Sequence, residues 1–140
     1  MIEEIRSYFN ATAKNENSDL RPSDKPTTDE IADTIIEDTF FLEIGTMTSI
    51  LLDTSIESEI AVNLSIYKAG DVDAIDDYDK AYCEAINIQA RAMYKPYISQ
   101  EMNIKNVTSS GIEVDTVNNN DNMYKFSIQF TVTVTYVHKE

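Results

Sequence analysis

The clearest pattern along the chain runs over residues 126–136, F-S-I-Q-F-T-V-T-V-T-Y. Phe126, Ile128, Phe130, Val132, Val134 and Tyr136 alternate with Ser127, Gln129, Thr131, Thr133 and Thr135. Successive side chains of a strand point to opposite sides. The run therefore predicts a strand with one apolar face and one hydroxyl-rich face. A sheet covered on one side and open on the other follows. Residues 40–52 read as a second strand, with Phe40, Leu42 and Ile44 alternating with Phe41 and Glu43. Gly45 in that run marks a bulge or a close backbone approach. Residues 59–67 place Ile60, Val62, Leu64 and Ile66 on one face and Glu59, Ala61, Asn63 and Ser65 on the other. Joined by a polar turn at 53–58, these two runs predict a long antiparallel hairpin.

Elsewhere the period is helical. Ile2, Ile5 and Phe9 recur at helix spacing over residues 2–13, with Glu3 and Glu4 in the first turn where the dipole favours them. A second helix starts from the N-cap carboxylates of Asp71-Val72-Asp73 and runs to about Tyr94, where Lys95-Pro96 stops it. Tyr78, Ala81, Tyr82, Ala85, Ile88 and Ala92 share one stripe of it, and the alanines let it lie close on a sheet. Residues 98–107 read as a connecting stretch with strand character at Met102, Ile104 and Val107. Residues 111–117 read as a short strand and 118–122 as an asparagine-rich turn. The segment 15–38 is polar, contains Pro22 and Pro26, and reads as an arm or loop. Within it, residues 29–37 suit a helical turn or an extended run.

These elements predict one α+β domain over residues 1–140. It is a mainly antiparallel four-stranded sheet made of two hairpins, with a helix packed on one face and a short N-terminal helix. A chain of 140 residues is long enough for a real core.

Composition narrows the class of function. The 25 acidic residues against 11 basic give a net charge of −14, which disfavours nucleic acid and anionic membrane surfaces. It favours solubility and basic partners. No apolar run approaches the ~20 residues of a bilayer span, and Met1-Ile2-Glu3-Glu4 is not a secretory leader. Folding in a reducing cytoplasm is expected. Cys83, the one cysteine, reads as a small buried hydrophobe on a helix rather than a reactive thiol. The N-x-[ST] triplets at Asn10, Asn63 and Asn106 then read as chance.

No catalytic constellation emerges. The run D-V-D-A-I-D-D-Y-D resembles a calcium loop at first sight. It places Ile75 and Asp76 where such a loop needs an oxygen ligand and a glycine. Asp71, Asp73, Asp76, Asp77 and Asp79 therefore read as a capped, solvated helix start, and as a candidate acidic contact patch. His138 is the one histidine, near the terminal end, with no partners for a triad or a zinc site. Three glycines form no phosphate-binding loop. No catalytic residue, metal or cofactor is expected. Thr131, Thr133 and Thr135 reflect strand propensity or, in a sharper reading, a binding ladder. Tyr94 and Tyr97 flank Pro96 and suit either a core edge or an interface.

The order of elements resembles that of the tail terminator proteins of long-tailed bacteriophages, and more loosely that of related tail-completion and head–tail joining proteins. The carriers are the short N-terminal helix and polar arm, the hairpin of 40–52 with 59–67, the helix opened by acids, and a terminal hairpin. Its close, T-V-T-V-T-Y-V, is similar to the T-Y-x-I-T-Y type of ending in that family. The segment E-I-A-V-N-L-S-I-Y-K-A-G-D is similar to the family's strand-to-helix junction. The resemblance spans nearly the whole chain, with 15–38 matching least.

It implies a structural virion protein, made in the host cytoplasm, that forms a ring of typically six copies at the head-proximal end of the tail. Such a ring ends tail-tube polymerisation and meets the head connector. Its partners are then further copies, the tail tube protein and neck proteins, and DNA passes through without specific binding. Asp71, Asp73, Asp76, Asp77 and Asp79 become candidates for an acidic lumen. Tyr94, Tyr97, Thr131, Thr133 and Thr135 become candidates for the subunit interface. Three alternatives stay open: another neck or tail-tube protein, a soluble acidic binding or inhibitor module, and a small α+β enzyme. The last needs a pocket of perturbed carboxylates that no motif marks.

Overall fold

The computed structural model describes residues 2–22, 39–51, 55–69, 75–94, 102–117 and 120–137. In chain order the elements are α1 (Ile2–Glu16), β1 (Arg21–Pro22), β2 (Thr39–Leu51), β3 (Ser55–Ala69), α2 (Ile75–Tyr94), β4 (Met102–Val117) and β5 (Asn120–Val137). The fold is α+β, with the strands in one mixed, mostly antiparallel sheet.

The helix α1 begins with Glu3 and Glu4 and has Lys14 in its last turn, the charge order that suits its dipole. Ile5, Tyr8, Phe9, Thr12 and Ala13 form its buried stripe. The helix runs on to Glu16 rather than ending near Ala13. Asn17 then closes it. Its N–H donates to the Ala13 carbonyl at 3.0 Å, and its carbonyl accepts from the Leu20 N–H at 3.1 Å. Its side-chain oxygen accepts from the Asp19 N–H at 3.0 Å, a local turn that a short amide or carboxylate side chain favours.

Strand order is β1-β2-β3-β5-β4. The predicted hairpins β2–β3 and β4–β5 are both present, and β3 pairs with β5 to join them. β3 and β4 each run antiparallel to β5, so they are parallel to one another with β5 between them. The connection through α2 is therefore a split crossover. The sheet has a strand beyond the expected four. It is β1, two residues that pair in parallel with Thr39 and Phe40 of β2. It lies in the segment read as a polar arm, too short for any alternation to show.

Element ends also differ. β3 begins at Ser55, inside the predicted turn, because Ser58 pairs with Ser49 and their hydroxyls lie 2.7 Å apart. Residues 102–117 form one strand rather than a connection and a short strand. Lys105 and Ser110 are each an extra residue against β5, where the register shifts at Ile104/Asn106 and Ser109/Gly111. Each such bulge reverses which face the following residues occupy. Gly111, at the second bulge, has a φ of 141°, a backbone angle that suits glycine. The bulge expected at Gly45 is present as a register shift between Ile44 and Met47.

One face of the sheet carries the core. Across the strands its rows read Phe40–Ile66–Phe126–Val114, Leu42–Leu64–Ile128–Ile112, Ile44–Val62–Phe130–Ser109 and Met47–Ile60–Val132–Val107. Both helices cover this face, rather than α2 alone. Ile5, Phe9 and Ala13 of α1 and Ala81, Ala85, Ile88 and Ala92 of α2 belong to the same buried cluster as the strand residues. Phe9 packs on Phe130 with ring centroids 5.0 Å apart. Tyr78 meets Tyr124 edge-on at 5.4 Å, and Tyr82 meets Phe126 edge-on at 5.8 Å, an arrangement aromatic rings favour.

Polar ties hold the two helices together. The Tyr8 hydroxyl donates to the Ala92 carbonyl. Glu16 accepts from Arg91 at 2.7 Å and from Asn87 at 3.0 Å. Glu84 pairs with Lys68 at 2.8 Å and accepts from Asn17 at 2.9 Å. Arg6 reaches over from α1 to the Leu42 carbonyl at 3.0 Å.

Candidate functional site

The face of the sheet turned away from the helices is the candidate site. Its rows follow from the same pairing. In order along the strands they are Ile50–Glu57–Thr135–Asn103, Thr48–Glu59–Thr133–Asn106, Ala61–Thr131–Thr108, Glu43–Asn63–Gln129–Gly111, Phe41–Ser65–Ser127–Glu113 and Thr39–Tyr67–Lys125–Asp115, with Ile50 an exposed apolar side chain at one end. The side chains in the middle of this face are small or carry hydroxyl and amide groups.

Local hydrogen bonds fix part of this surface. Gln129 donates to Asn63 at 3.1 Å, and the Ser65 and Ser127 hydroxyls lie 3.5 Å apart. Ser65, Ser127 and Tyr67 are buried although they point away from the helices, and Tyr67 stands outside the main core cluster. Ala61, Thr108 and Thr131 are exposed.

Charge sits around this middle. Glu43, Glu59, Glu113 and Asp115 are exposed and make no ion pair or hydrogen bond among the described residues. Glu57 holds Lys105 at 2.8 Å across the intervening strand β5. Lys125 stands opposite Asp115 in the register.

The predicted site residues fall in different places. Thr131 is exposed, and Thr133 and Thr135 are half-buried; all three lie together on the open face of β5. Tyr94 ends α2 and is 82% exposed, in the helix layer on the opposite side of the sheet from the threonines. The two groups are therefore not brought together. Asp79 is exposed on α2, and Cys83 is exposed there too rather than buried as its surroundings in the sequence suggest. Asp76 and Asp77 lie in the first turn of α2, and their side chains fall outside the described residues, as do Asp71, Asp73 and Tyr97 altogether. Sequence reasoning put Glu59, Ala61, Asn63 and Ser65 on one face through their alternation but gave that face no role. It missed Glu113 and Asp115 because the bulges of β4 hid which way they point.

The chemistry available here is contact chemistry. Among the described residues no group of histidine, cysteine or acidic side chains is placed to hold a metal ion. Tyr8 is the described group with a clear shift: burial raises its pKa above the usual tyrosine value. It belongs to the helix–helix contact rather than to the open face. No described helix is long and apolar enough to cross a membrane. Compared with known proteins, the chain matches no family model and no curated protein.

Proposed function

We propose that the protein is a structural subunit of a bacteriophage neck, forming a ring at the head-proximal end of the tail that ends tube growth and meets the head connector. The observation that carries this reading is the two-sided build: hairpin, helix and hairpin joined into one sheet, with helices on one face and a polar contact face left open. A ring protomer needs separate surfaces for its neighbours and for the structures above and below, because a head-to-tail contact uses two different patches of each copy. Surfaces are available on opposite layers, the α2 end at Tyr94 for a neighbouring copy and the open face with Thr131, Thr133 and Thr135 for a structure above or below. The net charge of −14 supports it further, since a carboxylate-rich ring repels phosphate and lets DNA pass. The acidic run from Asp71 to Asp79 is proposed to face that passage or a partner.

A second reading is a soluble acidic module that holds a basic protein, favoured by Glu43, Glu59, Glu113 and Asp115 of the open face, which have no partner among the described residues. Light scattering after size exclusion, with negative-stain imaging of the same fractions, separates the two. A closed ring of about six copies is the outcome for the neck protein. A monomer at every concentration, and also in the presence of tail tubes, overturns it and leaves the acidic module.

A further inference from the structure

We infer that the open face of the sheet is a docking surface for a basic protein of another kind, with a small uncharged centre ringed by lysine and arginine. This goes beyond the ring reading and holds for a free monomer as well as for a protomer.

Three observations lead there. The first is the layout of charge. The middle of the face, with Ala61, Asn63, Thr108, Gln129 and Thr131, carries none, while Glu43 lies toward one edge, Glu59 toward one end and Glu113 and Asp115 toward the far end of β4. An uncharged centre with charge at its margin is the anatomy of a protein contact surface. The second is what those carboxylates lack. On the helix side Glu16 and Glu84 each hold two partners. On the open side Glu43, Glu59, Glu113 and Asp115 hold none among the described residues. The third is size. Ser65, Ser127 and Tyr67 are buried, so the accessible length of β3 runs from Glu57 to Asn63; four strands about 4.8 Å apart and six rises of about 3.4 Å span on the order of 400 Å². A stable contact buries roughly 800 Å² on each partner, so this face alone supplies about half of one.

Charge also chooses between occupants. A second copy laid face to face on this surface would set its acids against the same acids. Five carboxylates, Glu43, Glu57, Glu59, Glu113 and Asp115, share the face with the lysines Lys105 and Lys125. A basic partner relieves that excess, and its attraction weakens as salt rises.

Two charge-matched variants test this. One, E43Q/E59Q/E113Q, neutralises the open face; the other, E3Q/D19N/D79N, neutralises three exposed acids on the helix side. The probe is a 16-residue peptide of alternating lysine and threonine, labelled and followed by fluorescence anisotropy at two salt concentrations. Circular dichroism confirms that both variants fold, since all six positions are exposed. The inference expects binding to fall at least tenfold in the open-face variant and to stay within twofold in the helix-side variant. Equal weakening in both would reduce the attraction to bulk charge and overturn it, as would unchanged binding in the open-face variant. A loss of oligomer mass in the open-face variant, with peptide binding intact, would give the face to a second copy instead. Ring formation is read separately from the mass of the unmodified protein, so failure of one does not decide the other.

Discussion

The two faces of the sheet are built from the same strands, in places from adjacent residues, and differ in what they do. In β5, Phe130 and Val132 are buried under the helices, while Thr131 between them is exposed. In β3, Val62 and Leu64 belong to the core, while Ala61 is exposed and Asn63 is held by Gln129. The covered face is governed by volume: alanines on α2 set its distance from the sheet, and interlocking aromatic rings fill the space. The open face is governed by charge and hydrogen bonding, and apart from the buried Ser65, Ser127 and Tyr67 few of its described groups support the fold. Strands that alternate so regularly let one side be fixed by packing while the other side stays free for a partner.

Substitutions on neighbouring residues should separate these regimes. Phe126→Ala opens a cavity beneath Tyr78 and Tyr82 and should destabilise the protein by about 3–5 kcal/mol. Thr131→Ala, on the opposite face, should cost no more than about 0.5 kcal/mol. Urea denaturation of both reads this out, and similar losses would break the comparison. The polar ties should follow the same division. Glu84→Ala leaves Lys68 and Asn17 without their shared partner, in a pair whose side chains are only 14% and 16% exposed, and should cost about 1–3 kcal/mol. Lys105→Met removes the Glu57 pair from the open face and should cost about 0–1 kcal/mol, because that lysine is half exposed and largely screened.

A further effect sharpens the comparison through pH. Burial raises the pKa of Tyr8 in the folded protein, so folding favours the neutral phenol. The stability this brings is complete below the ordinary tyrosine value of 10.0 and is lost as pH climbs through the raised value. Tyr8→Phe should therefore lose about 1 kcal/mol at pH 7, where the hydrogen bond to Ala92 goes missing. It should also lose less stability than the unmodified protein on going to pH 11. Denaturation midpoints at the two pH values check this, and an unchanged alkaline slope would remove Tyr8 as its source.

How much of this was legible in the sequence depends on bulges. β5 pairs with β3 without a break from Ser55 to Ala69, and its alternation could be read directly. β4 could not be read in that way. Its covered-face residues are Met102 and Ile104, then Val107 and Ser109, then Ile112 and Val114, so their parity changes twice. Two in-phase fragments were visible and the one strand was not, because a bulge is defined by the partner strand. Gly45 was recognisable because glycine itself marks the site. The α2 stripe was legible from its alanines, whereas the sharing of that face by α1 was not, since Phe9 finds Phe130 only through the tertiary fold. On the candidate site, the hydroxyl column of β5 was visible and the surrounding carboxylates were only partly so. Charge counted along a chain does not reveal which acids converge.

β5 follows β3 and β4 in the chain but lies between them in the sheet. During synthesis, a ribosome that has released the protein only through β4 has released two strands that do not touch and a helix with half of its floor missing. Phe9, which precedes every strand in the chain, must wait for Phe130, the ring it packs on. The molecule therefore has little it can finish early, and its core should close in one late step rather than strand by strand. A nascent chain stalled before β5 would be the form most in need of a chaperone, and the most exposed to a protease.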